Sequence, residues 1–156
     1  MDIHGADGSA FQLKVVGYQF PQVVDDGWDS NWLRIYMSVT LPQGSWSVSD
    51  PFLTTFEVKS LANWFDSIVD HTQTEQEIGF TEPNLSFAIT ETASGIPCLR
   101  IHFAIECLPP WVDRTNSRSE GVFADFPLSE IDLRSAADAL RSELQLYPQR
   151  TSPRVV

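Results

Sequence analysis

The run from Leu33 to Leu41 constrains the fold more than any other part of the chain. Leu33, Ile35, Met37, Val39 and Leu41 alternate with Arg34, Tyr36, Ser38 and Thr40. A period of two puts the apolar members on one face of an extended strand. Such a strand needs paired neighbours and a core to cover. Phe11, Leu13 and Val15 repeat the pattern upstream, with Gly17 suited to a bulge. Pro21 to Gly27 reads as a turn-rich connection. Pro42-Gln43-Gly44 turns into a shorter strand, Ser45 to Val48.

The period then changes. Thr54-Thr55-Phe56-Glu57 has the form of a capping box, with Thr54 as N-cap and Glu57 at N3. Val58, Leu61, Ala62, Phe65, Ile68 and Val69 follow at helical spacing, so a helix is expected to end near His71. Thr72 to Glu77 is polar and reads as a loop. More strands are expected over Ile78 to Thr81, around Leu85, Phe87 and Ile89, and from Pro97 to Leu108. In the last of these Leu99, Ile101, Phe103, Ile105 and Cys107 would share a face, and Pro109-Pro110 would stop it. Asp113 to Glu120 reads as a mobile loop, and Val122, Ala124 and Phe126 as a final strand. A second helix is expected with Ser129 as N-cap, Asp132 at N3 and a Leu128–Leu133 staple, closed by Pro148.

Long strands joined by short turns imply antiparallel pairing. The chain therefore reads as a single α+β domain over residues 1–150. The expected architecture is a mostly antiparallel sheet of about six to seven strands with two helices packed on it. Residues 151–156 are expected to form a flexible tail.

Charge limits the partners. The formal net charge is −11. Nucleic acid and anionic membranes recruit basic surfaces, so neither is expected as a partner. The acids are concentrated: Asp50, Glu57, Asp66, Asp70, Glu75, Glu77, Glu82 and Glu91 face only Lys59 across that stretch. Either this is a solvated surface or it docks a basic protein. In the docking reading Asp66, Asp70, Glu75 and Glu77 are the candidate contacts, with Trp111 as an exposed aromatic beside the rigid Pro109-Pro110 pair. The N-terminus shows no signal-peptide pattern, and no apolar run approaches the ~18 residues of a membrane span. Cys98 and Cys107 on one extended strand would lie about 30 Å apart, too far for a disulfide. Reduced thiols and a cytoplasmic location are expected.

Few residues suit chemistry. His4, His71 and His102 lack ligand spacing, so no metal is expected. There is no nucleophile elbow and no glycine-rich phosphate loop, and no cofactor is expected. Paired carboxylates are the remaining catalytic option, with Glu82 and Glu106 as a glycosidase-like pair. The outward face of the two longest strands carries Trp32, Arg34, Tyr36, Arg100, His102 and Glu106. On that face Trp32, Tyr36 and His102 would suit a small-molecule or carbohydrate-binding module. Trp28-Asp29-Ser30-Asn31-Trp32 reads as a lock where the strand begins, because Asp, Ser and Asn bond nearby backbone. A binding site is the alternative.

Four short pieces occur in a telling order: Trp28-Asp29-Ser30-Asn31-Trp32-Leu33, Thr55-Phe56-Glu57, Phe80-Thr81-Glu82-Pro83-Asn84-Leu85 and Pro109-Pro110-Trp111. From about Trp28 to the end of the second helix the chain resembles the small bacterial WapI-type immunity proteins. The resemblance implies a cytoplasmic, non-enzymatic antidote that binds a cognate toxin domain from a contact-dependent competition system. It brings no catalytic residues. An acidic antidote would suit a basic toxin.

Overall fold

The computed structural model describes residues 1–114 and 122–151. The part of the expected loop at residues 115–120 lies outside the described residues, as do residues 152–156 of the expected tail. Among the described residues, eight strands form two antiparallel sheets of four, rather than one sheet of six to seven. The first holds β1 (Asp2–His4), β2 (Ala10–Tyr18), β3 (Trp32–Leu41) and β4 (Gly44–Thr54), in chain order. Helix α1 (Thr55–Val69) follows. The second sheet holds β5 (Glu77–Gly79), β6 (Leu85–Glu91), β7 (Pro97–Phe103) and β8 (Val122–Pro127), again in order, and α2 (Leu133–Leu146) closes the chain.

Alternation explains how the sheets meet. Phe11, Leu13 and Val15 of β2 and Leu33, Ile35, Met37 and Val39 of β3 are buried. So are Phe87 of β6, Leu99, Ile101 and Phe103 of β7, and Ala124 and Phe126 of β8. The ring of Phe11 meets Phe87 at 6.0 Å and Phe103 at 6.1 Å between centroids, so the two sheets face each other. Phe65 of α1 packs edge-on against Phe87, and one apolar cluster joins both sheets and both helices. At ~25 cal/mol per Å² of apolar area, this shared core is the main stabilising term.

The helix starts differ in legibility. Thr54 and Glu57 form the expected capping box: the Thr54 hydroxyl accepts from the Glu57 backbone N–H, and the Glu57 carboxylate accepts from the Thr54 backbone N–H at 2.7 Å. In α2 the cap is Asp132, not Ser129. Ser129 lies in a turn closed by Glu130 N–H donating to Pro127 O, and Asp132 accepts from Ser135 N–H at 2.9 Å.

The expected strand from Pro97 to Leu108 stops at Phe103. Ala104 N–H donates to Asn84 O, and Ile105 takes a left-handed backbone (φ 52°) that no strand tolerates. A 3₁₀ turn over Ile105–Cys107 then buries Cys107 and turns Glu106 outward. β4 runs past the expected end at Val48. Asp50 and Pro51 pair with Ile35 and Arg34, and the register then slips between Leu33 and Arg34, leaving Phe52 as the extra residue of a bulge.

Candidate protein-binding surface

The motif at the start of β3 divides by burial. Ser30 and Asn31 are fully buried, while Trp28 is 52% exposed. Asn31 joins three segments. Its Nδ2 donates to Gly27 O at 3.1 Å and Thr151 O at 2.8 Å, and its Oδ1 accepts from Thr55 Oγ1 at 2.8 Å and Arg150 N–H at 3.0 Å. The Ser30 hydroxyl bonds Asp26 O and lies 3.0 Å from Thr151 Oγ1. Ser30 and Asn31 are thus the lock. Thr151, placed in the tail by sequence, belongs to it.

The loop before this lock is braced from several sides. Asp26 accepts from Trp28 N–H at 2.8 Å and Asp29 N–H at 2.7 Å, and these bonds hold its carboxyl below the usual carboxylate range, the Asp29 N–H contributing most. Arg150 lies under the loop. Its guanidinium stacks on Tyr18 at 3.5 Å and donates to Phe20 O and Val23 O. Above this frame Trp28 meets Phe56 edge-on at 5.7 Å. Among the described residues its indole N–H has no partner, and neither have the carboxylates of Asp25 and Asp29.

The acidic segment is not one patch. Asp66 pairs with Arg134 at 2.7 Å and also with Arg141, and Asp70 pairs with Arg134 at 2.6 Å. These ions tie α1 to α2, so their charge is matched within the chain. Glu75 and Glu77 are exposed, and no hydrogen bond or ion pair holds their carboxylates among the described residues. The Glu75 backbone accepts from the Trp64 indole at 3.0 Å, which fixes the segment against α1.

Trp111 is 50% exposed but shields other groups. It meets Trp46 edge-on at 5.6 Å, and its ring tip would lie 2.8 Å from a Cβ at Gly44. With Leu41, Gln43, Trp46, Pro109, Val112, Val122 and Phe123 it lines an open cavity of about 360 Å³. The Trp46 indole donates inward to Cys107 O at 3.0 Å. Burial pushes the Cys107 thiol up to about 12, with the charges of Glu106 and Asp50 adding to the effect.

The residues considered for a pocket do not converge. Trp32 and Glu82 line one shallow cavity of about 290 Å³ with Gln19, Phe20 and Pro51. Tyr36 lies on β3 of the first sheet and His102 on β7 of the second. The sheets meet through their inner faces, so these two outward faces point apart. His102 sits beside Phe123 at 5.9 Å, next to the Arg100–Asp125 pair. Glu106 accepts from Asn84 Nδ2 at 2.7 Å and does not line the Glu82 cavity. Glu82 and Glu106 therefore do not share that cavity. Among the described residues, no group of three or more His, Cys, Asp or Glu side chains is placed to hold a metal ion. No helix among them is long and apolar enough to cross a membrane.

Sequence reasoning identified Ser30 and Asn31 by their type but missed Arg150 and Thr151 as their partners. An isolated arginine near a chain end carries no local pattern to mark it.

No curated protein and no solved structure matches the chain. The family described as the immunity protein WapI-like family matches residues 2–148, which takes the similarity upstream of Trp28 through β1 and β2. With all described strands and both helices inside that match, the chain belongs to the WapI-like immunity protein family.

Proposed function

We propose that this protein is an antidote that neutralises a cognate bacterial toxin domain by binding it, without chemistry of its own. Family membership over residues 2–148 carries the reading. The net charge of −11 favours a basic toxin and a fast, salt-sensitive association. Glu75 and Glu77, unpaired among the described residues, are candidate contacts with the half-exposed Trp111, while Asp66 and Asp70 serve the helix pair. A contact-dependent competition system and a cytoplasmic site of action fit this role. The test is co-expression with the toxin-like domain encoded beside the gene, scoring survival and co-purification. Rescue with a stable complex is expected. Failure to rescue removes the antidote reading and leaves ligand binding at the Trp32–Glu82 cavity as the next reading to test.

A further inference from the structure

Trp28 is an exposed tryptophan on a loop that the protein braces from several sides. A tryptophan left half in water forgoes much of the burial its ring could gain. Here a buried amide, a stacked arginine and a capping aspartate hold the segment that displays it. Val24 on the same loop is 58% exposed, and Phe56 at the start of α1 stands beside Trp28. Asp25 and Asp29 lie on either side of Trp28 in the chain, and among the described residues their carboxylates have no partner. The Glu57 carboxylate, one residue on from Phe56, accepts from Thr81 N–H at 2.6 Å.

An aromatic anchor on a rigid platform with a charged rim has the anatomy of a binding hot spot. Rigidity matters because ordering a loop on binding weakens association. Trp111 differs: its ring already covers Gly44 and Trp46, so its exposure has a structural cause. The Arg150 guanidinium is committed beneath the loop.

We infer that the face formed by Trp28 and Phe56, on the loop that carries Val24, Asp25 and Asp29, docks the partner protein through Lys or Arg side chains. Such side chains can lie over the Trp28 ring while their charge meets the carboxylates. A second copy of this acidic chain is a poor occupant, because it would bring like charge to like. The inference rests on the antidote reading and adds a surface outside the Glu75–Glu77 segment.

The test uses the full-length protein and a catalytically inactivated form of the toxin domain encoded beside its gene. Wild type, Trp28→Ala, the double variant Asp25→Asn/Asp29→Asn and Glu75→Lys/Glu77→Lys are compared by surface plasmon resonance at two salt concentrations. Melting temperatures check folding. Trp28→Ala is expected to weaken binding by about tenfold or more, mainly through faster dissociation. The Asp25→Asn/Asp29→Asn protein keeps the Trp28 ring and is expected to associate several-fold more slowly at low salt, with the difference shrinking at high salt. If wild type binds and neither variant changes affinity or on-rate, the docking face is wrong while the antidote reading stands. A dimer of the free protein that Trp28→Ala dissolves would also overturn it, by making a second copy the occupant. If wild type neither binds nor rescues, the antidote reading fails, and this inference with it.

Discussion

Thr55 and Asn31 meet inside the protein, the Thr55 hydroxyl donating to Asn31 Oδ1 at 2.8 Å, although one begins α1 and the other ends the turn before β3. This bond turns a loop motif into a tertiary joint. The same amide oxygen accepts from Arg150 N–H, and the amide nitrogen reaches Thr151 O. Asn31→Ala would strand buried backbone and hydroxyl groups. A loss of about 2–4 kcal/mol is expected in urea unfolding. A loss below about 0.5 kcal/mol would show that the joint is unimportant.

Glu57 holds two structures together. Its carboxylate accepts from Thr54 N–H, the Thr54 hydroxyl and Thr81 N–H. Glu57→Ala should therefore lower stability by about 1–2 kcal/mol, more than Ser135→Ala in α2, which leaves the Asp132 cap on the Ser135 backbone intact. Chemical denaturation of the two variants checks the order.

Gly44→Ala tests the Trp111 contact. The residue has φ +151° and its new Cβ would meet the Trp111 ring at 2.8 Å. Since that ring is half exposed, it can swing outward. The expected result is a loss of about 1–2 kcal/mol together with a red shift and easier quenching of tryptophan fluorescence. An unchanged spectrum would contradict the contact.

Cys107 should resist thiol reagents at pH 8 until the protein unfolds, because burial raises its pKa to about 12. The sign of the stability effect follows. Unfolded thiols ionise near the ordinary value of 9.0 while the folded one stays protonated. Stability is therefore fully present below about pH 9 and declines as pH rises toward the folded value. Cys107→Ala should flatten that decline. Ellman titration of native protein and thermal melts from pH 8 to 11 provide the readings.

The Asp66 pairs should matter little to stability. They lie at the surface of the helix pair, where solvent and salt screen ion pairs and leave them little net stabilisation. Asp66→Asn should lower the melting temperature slightly, with the difference fading in 0.5 M salt. Persistence of the whole difference at that salt would indicate a packing role instead.

β3, the apolar stripe of α1 and its capping box were legible from residue order, because each is a local pattern that one stretch of backbone can satisfy alone. Long-range packing supplied what those patterns lack. Alternation in β3 and β7 tells each strand to hide one face but does not say whether they hide it in the same sheet. That choice was made by Phe11 meeting Phe87 and Phe103 across two sheets. It places Tyr36 and His102 on faces that point apart. β1 is three residues long and carries no periodicity, so only its pairing with β2 defines it. Asp66, Asp70, Glu75 and Glu77 look alike in sequence. Two became joints between helices because α2 brings Arg134 and Arg141 beside them, and two stayed open. Trp28 and Asn31, three positions apart, ended in opposite environments for the same reason: long-range partners reached the asparagine and left the tryptophan half in water.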